Sequence, residues 1–185
     1  MDVSYFCGTL AELSAERLYR LLALRSQVFV VARQRARHEP DGLDIEPETL
    51  HVWGERDGVP IATLRLTEEP DGILRLGRLC TATADRRKGY ATTLVEHAVV
   101  LAEGRPIVAD VFVRVAPWFL QRGFTALGGR SVVDGEPHMH LCFTPGQQVP
   151  AYPESRNATT QQAAAAVPQS VDAGGQPYVP AWVAL

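Results

Sequence analysis

"DRRKGYATTLVEHAVVLAEG", running from Asp85 to Gly104, sets two arginines and a lysine directly ahead of a glycine and follows them with an apolar repeat. Ala91, Leu94, Val95, Ala98, Leu101 and Ala102 recur at i, i+3, i+4 and i+7, which predicts a helix from about Gly89 to Glu103. A helix N-terminus presents unsatisfied N–H groups and partial positive charge, and the two together attract phosphate. Gly89 removes the Cβ that would hold a phosphate off the backbone. Ala91 keeps the next turn thin, and Arg86, Arg87 and Lys88 add charge at the same point. The ligand so described is a pyrophosphate or a group of phosphates. The plainer alternative is a solvated basic helix start with an incidental glycine, and these residues alone leave both open. Two familiar phosphate loops are excluded. No Gly-Lys-Ser/Thr follows at the Walker spacing, and Gly-x-Gly-x-x-Gly in a parallel βαβ unit is missing.

Outward from this stretch, the chain alternates strands and helices. Upstream, "LHVWGE" and "VPIATLRL" flank Arg56-Asp57-Gly58, a hairpin signal, and "ILRLGRLCTA" follows a second Asp-Gly at Asp71-Gly72, so residues 49–82 read as a three-stranded antiparallel meander. Before it, "SAERLYRLLALRSQVFVV" carries Leu18, Leu21, Leu22, Val28 and Phe29 on one helical face, with Ser14 as N-cap and Glu16 in the first turn. "ARQRARHEPDGLDIEPET" then reads as a long polar loop broken by Pro and Asp-Gly. Downstream come "PIVADVFV", a buried β-branched strand, and "APWFLQRGF", a short helix closed by Gly123. A last hairpin, "ALGGRSVV" and "PHMHLCF", turns around Asp134-Gly135. The order α, β, β, β, α, β, α, β, β requires a parallel pair within an otherwise antiparallel sheet.

The totals bound what such a domain does. With 185 residues, 46% of them hydrophobic, the chain can bury one sizeable core. A net charge of −3 argues against a general nucleic-acid binder. Three cysteines, Cys7, Cys80 and Cys142, do not make a disulfide framework and suit a reducing cytoplasm. No apolar run reaches the ~20 residues of a membrane span, and "MDVSYFCGTLAE" lacks the charged and apolar regions of a signal peptide. The expectation is therefore a soluble cytoplasmic protein, with neither nucleic acid nor membrane as partner; a homodimer is compatible with all of this. Composition changes near Thr144. Residues 1–144 read as the folded domain, and 145–185, rich in Pro, Gln, Ala, Ser and Gly, as a flexible low-complexity tail.

Arg86-x-x-Gly89-x-Ala91 after "LGRLCT" resembles the acyl-CoA signature of the GNAT N-acetyltransferase superfamily, whose element order is also the one above. "LYRLLALRSQVFVV", "DGLD", "HVWG", "ATLRL", "LGRL", "RGF" and "DGEPHMHL" resemble its ElaA-like branch, over roughly residues 9–143. The resemblance implies an α/β (α+β) fold: a mixed, mostly antiparallel central sheet with helices on both faces, and a splayed parallel strand pair forming an acyl-CoA cleft. It implies transfer of an acetyl or other acyl group from acetyl-CoA (acyl-CoA) to an amine, with no metal. By position, the backbone of Leu79 and Thr81, with Cys80 between them, would receive the pantetheine arm like an added strand. Arg86, Arg87, Lys88, Gly89, Tyr90, Ala91 and Thr92 would hold the pyrophosphate.

The acceptor end departs from that pattern. Phe119 stands where a tyrosine often serves the leaving thiol, and phenylalanine has no proton to donate. Ala32-Arg33 replaces a Glu-Gln pair, Arg37 a tyrosine, Val111-Phe112 an Ala-Gln pair, and Arg114 a common His. One acid is lost and basic residues are gained, which suits an acceptor carrying a carboxylate or phosphate, or equally a solvated loop. His51 and His138 are the candidate bases; each can instead be a core histidine bonded to a carbonyl. His138, His140 and Cys142 share one strand face but lack a fourth ligand at zinc spacing. Arg65 and Arg78 are expected to pair with Asp41 or Asp44 and hold the long loop. Cys80 reads as a small buried hydrophobe. An acyl-CoA-binding sensor that has lost turnover is the alternative to an enzyme.

Overall fold

The computed structural model of the chain describes residues 2–34, 38–133 and 135–144. Arg35 and Arg37, together with the tail expected over 145–185, lie outside the described residues. Seven strands form one sheet: β1 (Ser4–Gly8), β2 (Leu50–Arg56), β3 (Val59–Glu68), β4 (Leu74–Thr81), β5 (Ile107–Phe112), β6 (Thr125–Val133) and β7 (Glu136–Phe143). Their order is β1-β2-β3-β4-β5-β7-β6, and only β4 and β5 run parallel. Three α-helices accompany them: α1 (Ala15–Ser26), α2 (Tyr90–Leu101) and α3 (Ala116–Leu120).

The expected meander is β2–β3–β4. Its first turn is the two residues Asp57 and Gly58, at φ 51° and 77°, the positive pair that a tight right-twisted hairpin needs. One strand was not anticipated. β1 adds to the edge of β2, from Ser4 opposite Glu55 to Gly8 opposite His51, and Phe6 stacks on Trp53 at 5.6 Å. The first helix also differs from its pattern. Ser14 caps α1 through the Arg17 N–H (3.1 Å), as expected, but the α-helix stops at Ser26 and Gln27–Val31 forms a π-helical turn.

Strand alternation sorts the two faces. Leu64, Leu66, Leu74, Leu76, Ile107, Ala109 and Val111 join Leu94, Val95 and Ala98 of α2 in the main core. The other face carries α1 and an ionic layer. Arg25 of α1, 1% exposed, donates from Nε to Glu39 (2.7 Å) and through both terminal nitrogens to Asp44 (2.5 and 2.9 Å). Arg65 grips Asp41 with two 2.7 Å bonds and lies 2.9 Å from Asp44. Arg78 donates to Asp41 (2.7 Å) and to the Glu39 carbonyl (3.1 Å). The expected pairing of Arg65 and Arg78 with the loop aspartates is thus present, and Arg25 and Glu39 complete it. Three cations face three carboxylates, and the loop from Glu39 to Asp44 is bound to the sheet.

Removing one partner leaves buried charges uncompensated. Arg25→Met is expected to cost about 3–5 kcal/mol of unfolding free energy, measured by chemical denaturation. The layer also titrates. Burial by itself would raise the Asp41 carboxyl, but the Arg65 hydrogen bonds and the charges of Arg65 and Arg78 hold it at about 2, down from 3.8. A lowered folded value means that the stabilisation is complete above pH 3.8 and is lost as pH falls through about 2. Stability should decline over that window, and Asp41→Asn should be less stable at neutral pH but decline less steeply on acidification.

Candidate active site

Between Gly77 and Cys80, β4 takes three steps while β3 takes two between Thr63 and Arg65, so one extra residue sits in β4. The bulge includes Arg78, at φ 55°. β4 and β5 pair only at Leu74 with Ile107 and at Arg75 with Val108. Beyond those pairs the parallel strands part and leave a V-shaped gap. The Ala82 N–H bonds the Ile61 carbonyl on β3 (2.8 Å), so by alternation the neighbouring Thr81 turns its backbone groups away from β3. Leu79 packs against the main core. Cys80 faces the ionic layer, and burial pushes its thiol up to about 12, which suits a packing role.

β4 runs through a short 3₁₀ turn, Thr83–Asp85, into the mouth of α2. Arg87 (φ 61°) and Gly89 (φ 90°) both take left-handed backbone there, and a Cβ on Gly89 would meet nothing within 4 Å. The first intrahelical bonds come from Thr92 and Thr93 to the Gly89 carbonyl (2.8 and 3.1 Å), and no side chain caps the helix. The N–H groups of Gly89, Tyr90 and Ala91 therefore precede any helical acceptor. Of the three expected cations, Lys88 turns back to Asp85 (2.9 Å), Arg86 points its Nε at the Thr81 carbonyl (3.4 Å), and Arg87 is exposed. Lys88, with Arg56 at 3.0 Å, holds the Asp85 carboxyl below its usual range. Two further cations reach this mouth and escaped the sequence reading. Arg56 donates to the Tyr90 hydroxyl (3.0 Å). Arg122 donates to the Thr92 hydroxyl (2.9 Å) and to the Trp118 carbonyl (2.7 Å), with its guanidinium 3.8 Å from the Trp118 ring centre. Its buried Nε has no partner among the described residues.

At the far end of β5, Phe112 lies opposite His138 of β7, ring centres 4.4 Å apart. The guanidinium carbons of Arg33 and Arg114 each stand 4.3 Å from the centre of the Phe112 ring. The Glu136 carboxylate approaches both, 3.8 Å from Arg33 and 3.4 Å from Arg114. His138 is 8% exposed, with Nδ1 at 2.9 Å from the Glu136 carbonyl. His51 is 1% exposed, donates from Nε2 to the Asp44 carbonyl (3.1 Å), and is held towards its neutral form by burial. His140 hydrogen-bonds Asp110, which also pairs with Arg75. Cys142 Sγ lies 3.3 Å from the Thr144 hydroxyl. Among the described residues no three His, Cys, Asp or Glu side chains are placed to hold a metal ion, and no helix is long and apolar enough to cross a membrane.

Residues 15–123 match the model of the acetyltransferase (GNAT) family. The chain belongs to the GNAT family. A UPF0039 protein of Mycobacterium tuberculosis is 38% identical over 134 residues, 70% of this chain and 86% of that protein. An acyl-CoA N-acyltransferase from Pseudomonas aeruginosa superposes with a TM-score of 0.74 at 30% identity, covering 77% of this chain and 100% of the other. Escherichia coli ElaA is 24% identical over 71% of this chain and 90% of its own length, and its crystal structure superposes with a TM-score of 0.72 over 77% and 99%. These relatives put the chain in the ElaA-like branch of GNAT proteins.

Phe119, where the resemblance led us to expect a tyrosine, is 2% exposed and packs edge-on against Trp118 (4.9 Å) and Phe124 (5.1 Å). A hydroxyl added to a fully enclosed ring would be buried without a partner. Phe119→Tyr is then expected to lower stability by about 1–3 kcal/mol in thermal or chemical unfolding. An unchanged stability would show that the para position opens onto the gap between β4 and β5.

Proposed function

We propose that this GNAT protein binds acetyl-CoA or a related acyl-CoA along the gap between β4 and β5 and transfers the acyl group to an amine. The observation that carries the reading is the parting of β4 from β5 after Arg75 and Val108, with the uncapped N-terminus of α2 at the end of the same β4. Pyrophosphate on the N–H groups from Gly89 to Ala91 is favoured by the helix dipole and by Arg86 and Arg87. Arg122 and Arg56 hold the first turn of α2 around Thr92 and Tyr90. The pantetheine arm runs beside Leu79, Cys80 and Thr81 as an added strand.

In the reaction the amine nitrogen attacks the thioester carbonyl carbon. A C–N bond forms, the C–S bond breaks, and the electron pair leaves on sulfur as the CoA thiolate. A strand N–H near Leu79 receives the oxyanion. Each candidate histidine bonds one carbonyl through one ring nitrogen; we assign His138 as the proton acceptor because it adjoins Phe112 at the end of β5 and is 8% exposed, whereas His51 is 1% exposed. Phe119 donates no proton, so water protonates the thiolate.

Acetyl-CoA at ~100 times its dissociation constant should stabilise the protein by ~2.7 kcal/mol. Gly89→Glu, which brings bulk and negative charge to the phosphate position, should remove most of that. Gly89→Ala is the control: at φ 90° it costs about 1 kcal/mol of stability through backbone strain but leaves the charge pattern intact. Equal stabilisation of the Gly89→Glu variant would place the phosphates elsewhere. A thiol-release assay across amines then reads turnover. Binding without release from any amine favours the sensor, the reading that Phe119, Ala32 and Phe112 support by standing where the resemblance led to other residues.

A further inference from the structure

Leu74 and Arg75 pair with Ile107 and Val108, and there the strand ladder between β4 and β5 stops. What closes the inner end of the gap follows from the alternation of side chains beyond that point. Leu76 and Ala109 point into the main core and are buried. Arg75, Gly77 and Asp110 therefore turn to the α1 face. On that face Arg75 pairs with the Asp110 carboxylate, two residues beyond its ladder partner Val108, so the ion pair crosses from β4 to β5 directly past the last rung. It is held from both sides. Arg75 Nε donates to Glu69 (2.5 Å), and His140 Nδ1, from β7, donates to the other Asp110 oxygen. Glu69, Arg75, Asp110 and His140 form a polar bar across β4, β5 and β7. All four side chains are partly buried, so opening the bar would leave its charges incompletely solvated.

Gly77 adjoins the bar. Counted from the last rung it stands level with Asp110, and a Cβ there would meet nothing within 4 Å. Room is thus left over Gly77, and it ends at the Asp110 carboxylate. Leu79, near which the oxyanion is received on the reading above, is two residues further along β4, a distance of at most about 7 Å. That length holds an acetyl or propionyl group. A longer chain would have to lay its methylenes against the ion pair or part Leu76 from Ala109. An apolar chain gains little by the first course, because it strips water from the charges. In an apolar channel, by contrast, each added methylene would tighten binding about fourfold.

We propose that the Arg75–Asp110 ion pair is the floor of the acyl pocket and restricts the protein to short acyl-CoA, acetyl or propionyl, with Gly77 leaving the room in which the acyl methyl sits. This rests on the acyl-CoA reading above. Asp110 and Gly77 act here as specificity-determining residues and take no part in bond making.

The test measures binding apart from turnover, so it needs no acceptor. CoA itself and acetyl-, butyryl-, hexanoyl- and octanoyl-CoA are titrated onto the full chain by calorimetry. Each acyl-CoA is expressed relative to CoA, so that contacts made by the phosphates and the pantetheine arm cancel. Acetyl-CoA should bind best, and octanoyl-CoA at least about tenfold more weakly than acetyl-CoA. Asp110→Ala, which removes the floor, should erase most of that difference. Gly77→Ala adds a methyl where the acyl group sits, at a backbone φ outside the left-handed region, and should cost butyryl-CoA more than acetyl-CoA. Thermal unfolding reports whether each variant is folded, and Gly77→Ala decides the matter if Asp110→Ala is not. Octanoyl-CoA binding the parent as tightly as acetyl-CoA would overturn the proposal. So would a folded Asp110→Ala that keeps the parent's discrimination, or a Gly77→Ala that treats butyryl- and acetyl-CoA alike. If neither CoA nor acetyl-CoA binds, the acyl-CoA reading itself fails and the floor with it; CoA bound without chain-length discrimination sinks the floor alone.

Discussion

Opposite the two steps from Thr63 to Arg65, β4 takes three, and that single added residue gives β4 a new direction. A parallel pair that continued to bond along its length would have no room for another chain between its strands. Because β4 bends at the bulge, its pairing with β5 ends after two positions, and the gap between them becomes a place where an extended ligand can take up strand-like hydrogen bonds. A left-handed φ at a non-glycine residue costs about 1 kcal/mol or more and persists only where the surroundings over-determine it. Here the residue is Arg78, and its guanidinium is anchored to Asp41 and to the Glu39 carbonyl. The ionic layer on the α1 face is thus more than a clasp for the long loop. It holds in place the backbone irregularity on which the cleft depends.

The same economy of charge governs the mouth of α2. A helix start with three adjacent cations and no acid would repel itself before any ligand arrived. Asp85 relieves this by drawing Lys88 and Arg56 towards the sheet, and its lowered carboxyl pKa reflects the pull. What stays directed outward is the exposed pair Arg86 and Arg87 together with the helix N–H groups. The basic run read in the sequence is therefore divided between an internal tie and an open socket.

Local chemistry made much of the fold legible. Asp57-Gly58 announced a tight hairpin, the spacing from Ala91 to Ala102 announced α2, and the need for one parallel pair followed from the element order. The splay of β4 from β5 was expected only through the family resemblance, since nothing in "LGRLCT" marks the extra residue behind it. β1 escaped because five residues with mixed exposure carry no clear alternation, and its place is set by pairing with β2. Arg25 escaped because an arginine on an apolar helix face reads as solvent-exposed until its partners, from Glu39 to Asp44, are seen to fold back over it. Arg122 escaped for the same reason: its role depends on Thr92, thirty positions earlier. Arg65 and Arg78 were legible as loop anchors only through the residues shared with the ElaA-like pattern, since 24 and 37 positions separate them from Asp41. What local pattern cannot show is which distant groups converge.

That limit explains why the acceptor end looked like scattered substitutions. Ala32-Arg33, Phe112 and Arg114 are separate departures along the chain and one physical unit in the sheet. On the proposed reading the cofactor side of the V is built by β4 and the start of α2, and the acceptor side by β5, β7 and the turn after α1. Among the described residues the strand ladder between the two arms is confined to the base of the gap, where Leu74 and Arg75 meet Ile107 and Val108. A change at Phe112 therefore does not disturb the bulge, the Thr81 backbone or the Gly89 turn. On that reading the signature from Arg86 to Ala91 can stay while the residues on the β5 side change as a set. Replacement as a set is what the stacking requires: Phe112 without its arginines would expose an apolar ring, and the arginines without Phe112 would lose the surface that orients their forks.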